Sequence, residues 1–166
     1  MNVSENIRFT GANLDAAFAR VPEVAAHELL AAMAEADSLL EREVKDLMPT
    51  ASGVSRASVF SREQALPGGV IGMVGSAMPQ IVYVELGTKP HFPPLAPLED
   101  WVRVKFGFGD DKKVAKVAYL IARKIAQRGT LGVGMFHRTW AKQRPQVEMI
   151  FRRATERIVK QMGAAT

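Results

Sequence analysis

The sequence predicts an α+β fold: a small antiparallel β-sheet, drawn as a meander, packed by a long N-terminal helix and by C-terminal helices. Three patterns predict it, namely helical apolar spacing in the first third, alternating strands with glycine-rich turns in the middle, and helical spacing again at the end. The 166 residues are enough for a single domain over 1–166 with its own core. Cysteine is absent, which excludes disulfides and thiolate chemistry.

The long helix is predicted from Pro22 to Met48, after a short strand over 7–10. Proline suits the first position of a helix, and the residue before Pro49 resists helical angles. Apolar residues recur at helical spacing along this stretch: Ala25, Leu29, Ala32, Met33, Ala36, Leu40, Val44 and Leu47.

Three strands are predicted in the middle, over 54–61, 70–74 and 81–86. Leu66-Pro67-Gly68-Gly69 is a turn signal between the first two. Successive side chains of a strand point to opposite faces of a sheet. The third strand would therefore place Val82, Val84 and Leu86 on one face and Ile81, Tyr83 and Glu85 on the other.

Helices are predicted again in the last third. A short one begins at Pro97 and ends at Gly107, a second carries an apolar stripe over 114–125, and the last begins near Pro145. The hairpin tip 62–69 and the loop 129–136 carry glycine and polar residues with few apolar anchors. We expect both loops to be poorly ordered in an isolated subunit and to become ordered on assembly.

The net charge of +5 conceals an asymmetry between the two parts of the chain. The first 100 residues hold 7 Lys and Arg against 13 Asp and Glu, and the remaining 66 hold 15 against 4. We expect the acidic long helix and the basic C-terminal third to lie on different surfaces, where they could stack on copies of the chain or neutralise a polyanion. Solvated basic faces on two helices are the alternative interpretation.

Residues that commonly carry chemistry are sparse. Histidine occurs only at positions 27, 91 and 137, and no two have the i, i+4 spacing of ligands on one helix face. The Gly-x-Gly at 132–134 follows no predicted strand and lacks a P-loop lysine. No apolar run reaches the ~20 residues that span a bilayer. We therefore predict no catalytic residue, cofactor, metal or membrane partner.

The stretch 81-IVYVELGTKPHFPP-94 contains the best candidate for an acid or base, Glu85. A catalytic carboxylate needs a second carboxylate, a histidine or a metal to divide the work, and the neighbouring sequence supplies none. One hypothesis is a hydrolase with Glu85 as its acid. The favoured hypothesis is a structural anchor that pairs with a cation of another element or of a neighbouring subunit.

Three motifs resemble the tail-completion proteins of long-tailed phages. In 42-REVKDLMPTASGVSRASV-59, a lysine and a proline at the helix end precede a glycine and a serine-containing strand. The segment 83-YVELGT-88 resembles the family signature Tyr-x-x-Val-Glu-x-Gly-Thr with shortened spacing. The segment 121-IARKIAQRGT-130, followed by Phe136, is similar to the family's late helix and small-Pro-Phe-Leu segment, although 133–136 has no proline. The matching residues of the first motif are Lys45, Pro49, Gly53 and Ser58.

The resemblance is to the group of the lambda minor tail protein Z and related neck components, over about residues 20–140. It implies a non-enzymatic virion protein of a phage or prophage, assembled in the host cytoplasm. Such a protein would act as a six-fold ring where the tail tube meets the head–tail connector, with the tail terminator, tail tube and connector as partners. The predicted interface residues are Tyr83, Glu85, Gly87, Thr88, Lys89, His91, Phe92, Arg128 and Phe136.

A small basic nucleic-acid-binding module is the alternative function. The helix over 112–128 and the last helix carry ten lysines and arginines that could contact phosphates without reading sequence. Non-specific DNA contact is also compatible with the neck protein. The ten residues are Lys112, Lys113, Lys116, Arg123, Lys124, Arg128, Arg152, Arg153, Arg157 and Lys160.

Overall fold

A computed structural model describes residues 14–49, 53–67 and 69–163, with side chains from residue 22 onward. Helices and short strands alternate through these ranges. In chain order they are α1 (Leu14–Leu47), α2 (Val54–Ala57), β1 (Val59–Leu66), β2 (Gly69–Ser76), α3 (Ile81–Leu86), β3 (Gly87–Thr88), α4 (Leu95–Phe106), α5 (Asp111–Arg128), β4 (Thr130–Leu131) and α6 (Met135–Gly163). The strand predicted over 7–10 lies outside the described residues.

The α+β class is confirmed. A long N-terminal helix precedes a two-stranded antiparallel hairpin of β1 and β2, and helices follow it. The predicted turn is confirmed, because β1 ends at Leu66 and β2 begins at Gly69. The strand predicted over 54–61 begins only at Val59, since one helical turn, α2, occupies its first half.

The third strand of the predicted meander is wrong, because residues 81–86 form the helix α3. Ile81 is 4% exposed and Val84 packs against the same core, whereas Val82 is 56% exposed and Leu86 is 76% exposed. Burial at i and i+3 is helical spacing. Six residues rich in valine and isoleucine favour a strand by local preference, and tertiary packing overrides that preference here.

Two predicted helix starts are also wrong. α1 begins at Leu14 and α6 at Met135, so Pro22 and Pro145 lie inside helices instead of opening them. A proline inside a helix costs about 3 kcal/mol. For α6, burial of apolar side chains on both sides of the proline offsets this cost, at Met135, Val147, Ile150 and Ala154.

Contacts between Cα atoms divide the chain into two compact units, and the single domain over 1–166 stays a prediction. The central unit consists of Leu39–Ser61 and Val74–Gln143. One of its core clusters joins the end of α1 to β1, α3 and the start of α6, through Val44, Met48, Val59, Ile81 and Met135. A second cluster joins α4 to α5 through Val102, Val114 and Ala118.

The terminal unit is built from the described parts of Met1–Ser38, Arg62–Met73 and Arg144–Thr166. It contains most of α1, the outer part of the hairpin and most of α6. Charged side chains link α1 to α6 within it: Arg157 Nε lies 2.7 Å from Glu28, and Arg153 Nη2 lies 3.4 Å from Glu35. Its buried apolar residues include Ala32, Ala36, Ile150 and Ala154.

Candidate functional site

Two of the motifs meet in the central unit, where they bring together residues that are more than forty positions apart in sequence. We call their contact the joint, made of residues 83–88 and 129–137. β3 and β4 pair antiparallel, with Gly87 opposite Leu131 and Thr88 opposite Thr130. Two further main-chain bonds continue the contact, since Val133 N donates to Val84 O over 2.8 Å and Gly134 N donates to Glu85 O over 3.0 Å.

Glycine is required where the two segments touch. A Cβ atom at Gly132 would collide with main-chain atoms of Glu85, Leu86 and Gly87. Gly87 has φ 78°, which side chains rarely adopt, and a Cβ atom there would collide with the carbonyl of Thr130. The glycines of the two motifs therefore serve one purpose, the close approach of two main chains.

The Glu85 carboxylate binds the N-terminus of α6. Its Oε2 accepts a hydrogen bond from Phe136 N over 3.0 Å, and its Oε1 accepts one from His137 N over 3.1 Å. The first amides of a helix have no partner within the helix and carry the positive end of its dipole, so a carboxylate is a favourable cap. The sequence predicted a cationic partner for Glu85, but its two described partners are main-chain amides of its own chain.

The same geometry corrects an expectation about the loop 129–136. It was expected to have few apolar anchors, yet Met135 is fully buried in the core and Val133 packs against the same cluster. Main-chain hydrogen bonds of the joint hold Val133 and Gly134 as well. The premise of the disorder prediction is therefore wrong for this loop.

An open groove of about 1060 Å³ lies beside the joint. Its walls are mostly apolar and come from α3, β3, β4, α5 and the proline-containing loop after β3. Leu131 is the most exposed large apolar residue of its walls, at 98%, and Tyr83 is 62% exposed. The lining residues are Pro49, Gln80, Tyr83, Val84, Gly87, Thr88, Lys89, Pro90, His91, Trp101, Ile125, Thr130, Leu131 and Val133.

Short polar contacts hold the loop that follows β3. The hydroxyl groups of Thr88 and Thr130 lie 3.0 Å apart, and Thr130 N donates to Thr88 Oγ1 over 3.2 Å. His91 Nδ1 lies 2.9 Å from the carbonyl oxygen of Lys89, which folds the start of the loop back on itself. The proline residues of this loop restrict its main chain further.

The structure brings most of the predicted interface residues together. Five of the nine line the groove, namely Tyr83, Gly87, Thr88, Lys89 and His91. The other four do not: the Glu85 carboxylate binds α6, Phe136 packs against the core cluster, the Phe92 ring lies 6.3 Å from that of Tyr119, and Arg128 is exposed at the end of α5.

Sequence reasoning missed Leu131 and Trp101 as groove residues. The signal for Leu131 was its position as a single leucine among glycines in 129-GTLGVG-134, where no helix or strand pattern gives an apolar side chain a buried place. Trp101 was assigned to the apolar stripe of its helix, and it is 38% exposed beside the ring of Phe106.

The expected separation of acidic and basic surfaces is wrong. Within the terminal unit, Glu28 and Glu35 of α1 pair with arginines of α6, and within the central unit Glu43 lies 2.8 Å from Lys142. A hydrogen bond from Arg157, with a second one from Gln161, lowers the pKa of Glu28. The acidic groups of α1 are therefore largely neutralised inside the chain.

One carboxyl group of the terminal unit is buried instead of paired. Asp37 is 4% exposed, and its Oδ2 has no hydrogen-bond partner within the described ranges. Burial raises the pKa of Asp37, and the nearby charge of Glu63 raises it further, whereas a hydrogen bond from Met73 N lowers it.

In the part of the chain that the structure describes, no three His, Asp or Glu side chains are grouped so that they could hold a metal ion. The helices described there are too short or too polar to cross a membrane. Comparison with protein-family models, with curated proteins and with solved structures finds no match for this chain. The resemblance to tail-completion proteins therefore stays a prediction drawn from three motifs.

Proposed function

We propose that this chain is a structural protein of a tailed phage or prophage, a neck or tail-completion component that joins the tail tube to the head–tail connector as a ring. The motif resemblance supports this role. The joint adds support, because two of those motifs contact each other through main chain and glycine. The two motifs thus shape one surface together, which is expected of a protein whose function is assembly.

The observation that carries the proposal is the apolar surface around the joint. Tyr83 and Leu131 are exposed and line one groove, and Leu86, which is 76% exposed, lines a second groove with Val82 and Phe136. Soluble monomers rarely expose contiguous apolar patches of large size, and such patches mark contacts with other proteins. A second copy of the chain is the occupant that we propose for this groove.

A ring requires that each copy offer different surfaces to its two neighbours. The groove would be one such surface, and its loop is already restricted by Pro90, Pro93 and Pro94. A loop that is ordered before contact loses less entropy on docking, which raises affinity. The proposal places the tail terminator, the tail tube and the connector as further partners along the ring axis.

The proposal includes no catalytic turnover. Glu85 is the best candidate acid in the sequence, and both of its carboxylate oxygens accept hydrogen bonds from main-chain amides of α6. This geometry favours the structural hypothesis for Glu85 over the hydrolase hypothesis.

Leu131→Asp tests the groove as the contact between copies. The Leu131 side chain is almost wholly exposed, so the fold should tolerate the change, as circular dichroism would verify. Sedimentation velocity and electron microscopy of the full chain should show rings for the wild type and smaller species for Leu131→Asp. Val159→Asp is the matched control, because Val159 is 63% exposed on α6 in the other unit and its variant should still form rings.

A wild-type chain that stays monomeric at all concentrations, and that mass spectrometry does not find in phage particles of its host, would overturn the proposal. Rings that form equally well with Leu131→Asp would reject the groove as the contact surface while keeping the ring. The nucleic-acid alternative depends on a different surface, the exposed face of α5.

A further inference from the structure

The helix α5 has one buried face and one basic face. Val114, Ala118 and Ala122 are fully buried, and the first two pack in the cluster shared with α4. Val117, Ile121 and Ile125 are half-buried next to this face, and most of the other α5 side chains are exposed. The exposed side chains include six cations along the helix: Lys112, Lys113, Lys116, Arg123, Lys124 and Arg128.

The six cations share one side of the helix. At about 100° per residue, they fall within an arc of roughly 160°, and Lys112 and Arg128 are about 24 Å apart along the axis. Lys113 lies 4.3 Å from the centre of the Phe108 ring. Within the described ranges, the other five have no ion pair with an acidic group.

The lack of ion pairs at these cations, within the described residues, distinguishes α5 from α6. In α6, Arg153 and Arg157 are paired with glutamates of α1, and Arg144 is paired with Glu148 of the same helix. The chain thus neutralises many of its basic groups internally and leaves the row on α5 available. The sequence hypothesis treated both helices as one basic third, and the structure separates them.

We propose that the exposed face of α5 binds the phosphate backbone of duplex DNA without reading its sequence. A duplex carries about one charge per 1.7 Å of its axis, so cations spread over some 24 Å of one side of a helix can contact several phosphates at once. Direct reading of bases uses fixed hydrogen-bonding side chains as well as cations. Gln127 is the one uncharged amide on this face, and Tyr119 packs against Phe92.

A lipid surface fits the same face less well. Helices that bind membranes bury an apolar face among the acyl chains. The apolar face of α5 is already buried within the central unit, next to α4. Tyr119 and Leu120 are each about half exposed on the outer side of α5, but two such side chains do not form an apolar face, so binding there would rely mainly on charge. The inference does not depend on the ring, because the α5 face and the groove beside the joint are argued from different residues.

The test measures binding of the full chain to a labelled duplex of random sequence over a range of salt concentrations. With about four to five phosphate contacts, affinity should fall roughly 150- to 500-fold between 50 and 200 mM salt. The double substitution Lys116→Gln/Arg123→Gln should weaken binding roughly tenfold or more and reduce the slope of log affinity against log salt by about 1.8.

Arg152→Gln/Lys160→Gln is the matched control, since it removes the same charge from exposed positions on α6. It should leave the salt slope near that of the wild type. Equal losses in both double variants would mean that net charge alone drives binding, and would overturn the assignment to α5. The absence of wild-type binding at 50 mM salt would overturn it as well. Tighter binding to vesicles of anionic lipid than to the duplex would identify a lipid surface and reject DNA. Each outcome is separate from ring formation, which sedimentation measures.

Discussion

At the joint, two segments of the central unit meet through main-chain hydrogen bonds, whereas the terminal unit combines buried apolar residues of α1 and α6 with ion pairs between these helices at the surface. The joint admits no Cβ atom at Gly132, and its carboxylate, Glu85, is bound by two amides. The link between α1 and α6 uses arginines that are about half exposed, Arg153 and Arg157. The two regions therefore differ in what can be changed without loss of structure.

This difference predicts which substitutions should destabilise each region. Main-chain atoms in contact cannot change rotamer to make room, so a small steric change forces the segments apart. Exposed ion pairs contribute little each, about 0–1 kcal/mol, and salt weakens them. The joint should respond to small changes of shape, and the surface ion pairs between α1 and α6 should respond to charge and salt. The following substitutions test that contrast, from the largest effect to the smallest.

Gly132→Ala should have the largest effect. Its Cβ atom would collide with main-chain atoms of three residues of the facing segment, which we expect to lower the free energy of unfolding by about 3 kcal/mol or more. Gly109→Ala is the control, because a Cβ atom there meets nothing within 4 Å. Chemical denaturation measures both, and equal stabilities would show that the joint is not closely packed.

Glu85→Gln should have the next largest effect. The amide side chain can accept only one of the two hydrogen bonds at the start of α6, and it loses the attraction of a charge to the helix dipole. We expect a loss of about 1–3 kcal/mol in the free energy of unfolding. Glu156→Gln, at an exposed position of α6, should change stability little. A hydrolytic activity that disappears in Glu85→Gln while stability is unchanged would contradict the structural role.

Asp37→Asn should have a smaller effect of opposite sign. Burial raises the pKa of Asp37 in the folded chain above its ordinary value of 3.8. The stability that this group contributes is therefore full below that value and is lost as pH rises through the folded pKa. Asparagine is uncharged throughout, so the variant should melt above the wild type at pH 7 and at the same temperature near pH 3.5. Parallel melting curves across this range would contradict the burial of an ionising group.

Arg153→Gln should have the smallest effect. Its partner Glu35 and the arginine itself are both about half exposed, so the pair should contribute about 0.2–1 kcal/mol at low salt. At 1 M salt the difference from the wild type should fall within error, because charges at the surface are screened. Arg152→Gln removes an unpaired exposed cation of the same helix as the control. A loss from Arg153→Gln that persists at 1 M salt would show that this region is not held by charge.

The sequence predicted the pieces of this fold better than their contacts. The long helix and the stripe of α5 follow from apolar spacing, and the hairpin turn at 66–69 follows from its proline and glycines. The segment 81–86 did not, because a short, mostly apolar run fits a strand and a helix equally well, and the core around Ile81 decided between them. A single sequence also gives no sign that Glu85 should bind amides fifty residues further along.

The distribution of charge was also harder to predict from the sequence than the elements that carry it. Counting Lys and Arg identified a basic C-terminal third, but composition cannot distinguish the arginines that α1 neutralises from the cations that stay exposed on α5. That distinction depends on which helices lie side by side. The glycines of 129–136 likewise suggest a loosely held loop, whereas two of them, Gly129 and Gly132, permit close main-chain contact.

Residue-resolved hydrogen exchange on the isolated chain tests most directly that the joint forms within a single subunit. The amides of Val133, Gly134, Phe136 and His137 each donate a hydrogen bond in the joint. We predict that they exchange as slowly as amides of α5 in a monomeric sample, and that those of Phe136 and His137 exchange faster in Glu85→Gln. Exchange of all four at the rate of an unprotected chain, while the helices remain protected, would contradict a joint that is formed before assembly.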